Sequence, residues 1–424
     1  MTQYSADYKK TLSTGRPPTI CKLFPNSKAL IVSGKYIDRA MLVKGKALTI
    51  AANGRSSMVI RGALLAAQRA NAAIIIEIAK SEGGADAYCA VNLWNIAGYV
   101  DQMCNELGIT VPIAIHADHY GIKNEKDMIK GRVEIPSLFD AGITSIAIDA
   151  SHQPDDRNLL ANIEMHRYVP AWAGLETEVG EIKGSQGLST PAEALFLIQG
   201  LNANSIFPDW IALNNGTTHG IEESDAGIQV DLTASVHKAI EKYRVSGAQH
   251  GTSGNSSERL REIASKTNTT KANVATALQM ISWGVKVNDY GNAFLDNDGN
   301  FIKIKDSGVT EELWAEMIAY ADAKQLKKGD YKKLNLPFEN RILGQAREIR
   351  DRMAEGVAEF VFDLLTNVFN ASDTAPLAIE AILRAGSYDP GPKVGRLENP
   401  AEWTPEKIVQ KAKTLDSDKS FQRT

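Results

Sequence analysis

From Lys46 to about Asp289, short apolar runs alternate with stretches of helical spacing, the signature of parallel strand and helix units. Eight runs read as strands, at 47–52, 72–78, 111–116, 144–149, 174–179, 210–213, 245–249 and 285–288. Several are almost wholly apolar, as in Ala72-Ala73-Ile74-Ile75-Ile76-Glu77-Ile78, which is the texture of strands buried on both faces. Between strands, 57–70 places Val59, Ala63, Ala66 and Ala70 at helical steps, with Arg and Gln on the opposite face. The pattern predicts an α/β fold, a closed (β/α)8 TIM barrel with an outer ring of helices.

After Gly291 the texture changes, because helical patterns continue without a further pair of strands. Ile342, Ile349, Met353, Val357, Phe360 and Leu364 recur at three-, four- and seven-residue steps and predict one long amphipathic helix. Its apolar stripe is expected to pack on the barrel or on a second copy in a homo-oligomer. The chain thus divides into an N-terminal segment (1–45), the barrel (46–290) and a helical C-terminal extension (291–424), with fraying expected from about Ser417. A barrel with such appendages accounts for 424 residues.

Composition narrows the function. Hydrophobic residues at 43% and charged residues at 23% supply a sizeable core. A net charge of -4 without a long Lys/Arg run gives no attraction for nucleic acid or an anionic membrane, so the expected partner is a small molecule. Cys21, Cys89 and Cys104 form no CxxC pair, which argues against a disulfide framework and for a reducing cytoplasm. Residues 1–18 lack the apolar core of a secretory signal, and no apolar run is long enough to span a membrane.

Of seven histidines, His116, His119, His152, His219 and His250 fall at or just after the C-terminal end of a predicted strand. In this kind of barrel all those ends converge on the face that carries chemistry. The third strand ends in His116-Ala117-Asp118-His119, the fifth contains Glu176 and Glu178, the sixth runs into Asn215-Gly216-Thr217-Thr218-His219-Gly220, and the seventh ends in His250-Gly251-Thr252-Ser253-Gly254. One such histidine alone is as often a hydrogen-bonded structural residue, but imidazoles gathered with a carboxylate suit a catalytic zinc with an open position.

Six ordered segments carry a resemblance to a known family. They are His116 to His119, Ile148-Asp149-Ala150-Ser151-His152, Leu175-Glu176-Thr177-Glu178-Val179-Gly180, Gly216-Thr217-Thr218-His219-Gly220, His250-Gly251-Thr252-Ser253-Gly254 and Lys286-Val287-Asn288. Over residues 45–290 the chain resembles the class II, metal-dependent ketose-bisphosphate aldolases. The resemblance implies that His119, His219 and His250 bind a divalent ion, zinc or another, with Glu178 as an additional ligand and a monovalent cation as a further cofactor. It makes Asp118 the acid/base residue and sets Asp149 near the ion, as a transient ligand or a partner of the ligands. Gly220, Gly251, Ser253, Asn288 and Asp289 align with the anchor for a substrate phosphate, where backbone approaches closely.

The implied activity is reversible cleavage of a ketose phosphate, fructose 1,6-bisphosphate first. Alternatives are another sugar phosphate, such as tagatose bisphosphate or a monophosphate, and a noncatalytic partner subunit. Departures from the family bear on the substrate. Glu223 stands where the family usually has a lysine, Thr252 replaces a glycine, and Asp289-Tyr290-Gly291 follows Asn288. The loop from Glu181 to Ser189 is short and lacks the acidic pair of a longer mobile loop. An insertion of about one helix, centred on 267–276, separates the seventh and eighth predicted strands. Lys183 and Lys286 raise a Schiff-base alternative, and Arg341 a contact to a distal phosphate, against which stands an ordinary helix-surface role.

Overall fold

A computed structural model describes residues 3–85, 87–180, 187–217, 227–288 and 291–422, with side chains up to 415. Eight parallel strands close into a barrel in sequence order. They are β1 (Thr49–Asn53), β2 (Ile74–Ala79), β3 (Ile113–Gly121), β4 (Ser145–Asp149), β5 (Gly174–Val179), β6 (Trp210–Leu213), β7 (Ser246–Gln249) and β8 (Thr269–Val274). Closure is direct, since Thr49 of β1 is in register with Lys271 of β8. The predicted (β/α)8 barrel with a C-terminal run of helices is the observed fold.

The first seven strands lie within a few residues of their predicted places, but the eighth does not. The segment read as an inserted helix contains β8, and 285–288 lies outside the barrel, where Val285 and Val287 make isolated antiparallel bridges to Lys303 and Ala293. The cause is polarity. β8 reads Thr-Thr-Lys-Ala-Asn-Val, yet it is almost wholly buried because its polar side chains have partners inside. Thr270 accepts from the Trp210 indole at 2.9 Å and donates to Asp38 at 2.6 Å, while Lys271 meets Glu176 at 2.7 Å.

The N-terminal segment closes the bottom of the barrel. Ile31 bridges Ile113 at the start of β3, and the helix Gly34–Lys44 follows, capped by Ser33, whose hydroxyl accepts from the Lys35 amide. Gly34 has no room for a side chain, because a Cβ there would stand 2.8 Å from Ser145 Oγ and 3.1 Å from the Trp210 ring, at the first residues of β4 and β6. Asp38 of this helix also accepts from Lys393 at 2.6 Å, which ties the C-terminal part of the chain to the same end.

The extension covers the barrel's flank. The predicted single helix is two, Asn335–Leu343 and Arg347–Asp363, interrupted around Gly344. The second packs on the barrel helix Ser57–Ala70 so closely that a Cβ on Gly62 would lie 2.4 Å from the Ala354 carbonyl oxygen. A second apolar cluster, including Met280, Trp283, Phe301, Trp314 and Tyr331, joins the last barrel helix to the extension.

His237, on the helix Val230–Ala239, is buried against Gly247 of β7, away from the barrel mouth. Its Nδ1 accepts from the Asn268 amide at 3.0 Å, its Nε2 is buried without a partner, and burial pushes its pKa down from 6.5 to about 4. The fold therefore holds it neutral where the unfolded chain would bind a proton. Its stability contribution is complete above pH 6.5 and is lost as pH falls toward 4, by roughly 2–3 kcal/mol. Denaturant unfolding across this range should show a shallower acid limb for His237→Gln than for the parent, and parallel limbs would contradict the assignment.

Candidate active site and metal centre

The C-terminal ends of the strands surround a cavity of about 980 Å³, at the upper end of ordinary ligand pockets. Strand alternation fills its floor: residues two apart point to the same side, so β3 sends in His116 and Asp118, β5 sends in Glu176 and Glu178, and β8 sends in Lys271 and Asn273. Glu77 of β2 and Asn53 of β1 complete the ring.

His119 is placed by a local irregularity. The register of β3 against β4 shifts between Ala117 and Tyr120, and His119 has φ of 42°, in the left-handed region that a residue with a Cβ rarely enters. Such strain, of about 1 kcal/mol or more, collects at functional sites. It brings His119 Nδ1 to 2.8 Å from Glu178 Oε1 and 3.4 Å from Asp149 Oδ2. The rings of His119 and His250 meet edge to face with centroids 4.2 Å apart.

Asp118, His119 and His250 offer ligand atoms within 4.8 Å of one another, as do His119, Asp149 and Glu178. A cation fits the chemistry of this set. His250 Nε2 bonds to Glu176 Oε1 at 2.9 Å, which leaves its Nδ1 buried with no partner, a lone pair or proton aimed at nothing else in the fold. Carboxylate support of one ring nitrogen while the other is free is how a ligating histidine is held. Charge points the same way, because Glu77, Asp118, Asp149, Glu176 and Glu178 are all buried here against the single ammonium of Lys271.

Lys271 organises the layer below. Its Nζ lies 2.7 Å from Glu176, 3.4 Å from Glu77 and 3.9 Å from Asp118, with the side chain fully buried. Burial would lower its pKa, but the carboxylates of Glu176, Glu77 and Asp118 overcome this and hold it protonated. Burial raises Glu176 as well, and Lys271 and His250 more than reverse it, so Glu176 stays ionised. Asn273 donates to Asp118 at 3.0 Å and to Glu77 at 3.2 Å.

The carboxylates divide. Burial and the neighbouring Asp118 raise Glu77 well above the usual range, and burial and Asp149 raise Glu178. Asp118 is pushed up by burial but pulled below its ordinary value by His119, His250 and Lys271, so it is a carboxylate at neutral pH. Asp149 is likewise low: burial is outweighed by His119 and by the Ser151 hydroxyl at 2.6 Å. His116, between Ser145 Oγ at 2.8 Å and Glu176 Oε2 at 3.6 Å, is lowered by burial to about 3 and is a neutral inner residue.

Of the residues singled out in the sequence, Asp118, His119, Asp149, Glu178 and His250 converge on this cavity, with Gly251, Ser253 and His152 on its lining. Gly251 has φ of 60°, a turn that glycine makes without strain. His219, Gly220, Glu223, Asp289 and Lys183 lie outside the described residues. Asn288 is not on the cavity wall; its side chain accepts from the Asn292 amide at 2.9 Å in the bridged segment. Lys286 lies over the Phe294 ring, 4.9 Å from its centroid, and Arg341 pairs with Glu316 at 2.7 Å on the surface, so neither reaches the site.

Asn273, Lys271, Glu77 and Asn53 were not singled out for the site. The signal for the first two was present, since Lys271-Ala272-Asn273 repeats the Lys-x-Asn spacing found at 286–288, and only the copy at 271–273 lies on a barrel strand. Glu77 announces itself as the one charge in an isoleucine-rich strand.

Fold and site together define an enzyme-type barrel with a histidine and carboxylate centre at the catalytic face. The family model of class II fructose-bisphosphate aldolase matches residues 39–324, and the chain belongs to that family of aldolase enzymes. The chain is 32% identical over 124 residues to a fructose-bisphosphate aldolase of Staphylococcus aureus, a match covering 29% of this chain and 39% of the relative. With that of Streptococcus pyogenes serotype M3 it shares 28% over 184 residues, covering 43% and 58%. The matched stretches thus span roughly two fifths to three fifths of those curated relatives. In three dimensions it resembles the YdjI aldolase of Escherichia coli K12 (TM-score 0.54, 17% identity, 81% of this chain and 99% of that one). The fructose-bisphosphate aldolase of Campylobacter jejuni is similar in fold (TM-score 0.53, 17% identity, 82% and 97%).

Removing the central ammonium tests the network. Lys271→Met should cost about 3–5 kcal/mol of unfolding free energy, because the ionised Glu176 loses its buried counter-charge. Adding Glu176→Gln should restore part of it, and a loss below about 1 kcal/mol in the single variant would contradict the network.

Proposed function

We propose that this chain is a metal-dependent aldolase that reversibly cleaves a ketose phosphate, with fructose 1,6-bisphosphate as the leading substrate and dihydroxyacetone phosphate and glyceraldehyde 3-phosphate as products. The observation that carries this reading is an ionised, buried Asp118 beside His119 and His250, whose ligand atoms cluster with its own within 4.8 Å. His119, Glu178 and His250, joined by His219, would hold the ion, taken to be zinc, with Asp149 beside them. When bound, the ion supplies Lewis-acid polarisation of a substrate carbonyl.

The remaining work falls to the chain's own residues. As the carbon–carbon bond breaks, its electron pair passes to the ketone-bearing fragment, and Asp118 takes the proton from the hydroxyl that becomes the aldehyde. Asn273 orients that carboxylate by donating to Oδ1, and Glu176 orients His250 through Nε2. Gly251 and Ser253 on the cavity wall, with Gly220 and Asp289, would approach the phosphate next to the reacting carbons. A different or singly phosphorylated sugar is favoured by Glu223, a carboxylate where a phosphate-binding cation is usual in the family, and by the departures at Thr252 and Asp289-Tyr290-Gly291. Unpaired Cys21, Cys89 and Cys104 and the absence, among the described residues, of a helix long and apolar enough to cross a membrane support the further reading of a cytoplasmic enzyme.

Coupled detection of triose phosphate from fructose 1,6-bisphosphate tests the reading. Activity should be abolished by chelator and restored by zinc, and Asp118→Asn should lower kcat by about 10²-fold or more. Turnover indifferent to chelator, or unaffected in Asp118→Asn, would overturn it.

A further inference from the structure

Regular pairing of β2 with β3 runs as far as Ala79 opposite Asp118 and stops there. One residue further on, β3 enters the bulge that carries His119 at φ of 42°, and it is back in register, against β4, at Tyr120 and Gly121. Lys80, the first residue after β2, spans this gap with its side chain. Its Nζ donates to the Gly121 carbonyl at 2.9 Å and sits over the Tyr120 ring, 4.0 Å from the centroid. The ammonium thus grips the residues that directly follow His119.

Both ends of that clamp are fixed. Glu82 accepts from the Ala79 amide at 3.3 Å and is paired with Arg55, whose Nε lies 2.9 Å from Oε1, so the turn that carries Lys80 is anchored in the barrel. The Tyr120 ring is fully buried, and its hydroxyl donates to Glu134 at 2.7 Å. Beyond Gly121, the Ile122 amide donates to the Asp149 carbonyl at 2.7 Å, and the Ile122 carbonyl accepts from Gln153 at 2.6 Å. β4 and the loop after it therefore hold one side of the exit from the bulge, and Lys80 holds the side that faces β2.

A residue with a Cβ leaves the left-handed region when nothing opposes it, because extended backbone is lower in energy. For β3 that relaxation would carry the Gly121 carbonyl away from Lys80 and turn the His119 ring away from Glu178, whose Oε1 lies 2.8 Å from Nδ1. Among the described residues no carboxylate lies within 4.0 Å of Lys80 Nζ, so its ammonium is committed to the carbonyl and the ring rather than to an ion pair. Lys80 also lines the cavity, and its charge by itself would repel a cation bound there. A role in holding His119 and a role as a mere charge therefore act on metal affinity with opposite signs.

We infer that Lys80 is a positioning residue for the metal centre, holding the β3 bulge in the conformation that turns His119 toward Glu178. The inference rests on the metal reading of the cluster for its functional consequence and on the geometry of the bulge alone for its mechanical one. It gives a lysine in a cation-binding cavity a use that its charge would otherwise oppose.

Zinc affinity of the full-length protein, measured without substrate by competition with a chromophoric chelator, reads the functional half. Lys80→Met keeps an apolar stem over the ring but loses the bond to Gly121, and should weaken zinc binding by about tenfold or more. Lys80→Arg, which restores a donor and stacks on the ring, should recover affinity to within about threefold of the parent. Lys328→Met removes a different cavity cation, one seated over Phe301 and Tyr331, and should not weaken binding. Zinc held equally or more tightly by Lys80→Met, or weakened as much in Lys328→Met, would overturn the inference. If the parent retains no zinc, the metal reading fails, and crystal structures of the parent and Lys80→Met decide the bulge separately. His119 moved out of the positive-φ region, with Nδ1 beyond hydrogen-bond reach of Glu178, sustains it, and φ near 42° with the 2.8 Å contact kept sinks it.

Discussion

One ammonium group, that of Lys271, lies fully buried among the carboxylates of Glu176, Glu77 and Asp118, and the barrel mouth is built on that arrangement. Buried carboxylates at this spacing repel one another strongly, and without a counter-charge they would be expelled or protonated. With it, Glu176 remains ionised and holds His250 by Nε2, leaving Nδ1 buried without a partner. Through Asn273 the same strand that supplies Lys271 also fixes Asp118. Asp118 and His250 are therefore each within two contacts of the same cation.

The single ammonium does not balance the floor, and the imbalance has a direction. Burial pushes Glu77 and Glu178 up while Asp118 and Asp149 are held down by neighbouring imidazoles, so protons and imidazolium charge stand in for positive charge that the side chains lack. A divalent ion held by His119, Glu178 and His250 would supply that charge. The strained backbone of His119, in a bulge of β3, is the structural cost of aiming its ring there.

Much of this was legible in the sequence, for identifiable reasons. Strands such as β2 were visible because strands buried on both faces are written in isoleucine, valine and alanine. β8 was not, since its interior is polar and its Thr270, Lys271 and Asn273 are paid for by partners on other strands that a local pattern cannot show. Asp118, His119, Glu178 and His250 could be gathered from strand ends alone, because the barrel topology brings those ends together. Asn288 could not be placed correctly once the eighth strand was misread, as its Lys-x-Asn spacing has a second copy on β8. The break in the C-terminal helix at Gly344 was hidden by apolar positions that keep their period across it.

If the histidine and carboxylate cluster is a metal centre, it is supported from below by Glu176 and Lys271. Equilibrium dialysis against zinc, with metal counted by atomic absorption, tests it most directly. About one tightly held ion per chain is expected, with loss of that ion in His250→Ala and at least about tenfold weaker binding in Glu176→Gln, which leaves every ligand in place. A protein that retains no zinc, or that binds it equally well in His250→Ala, would contradict it.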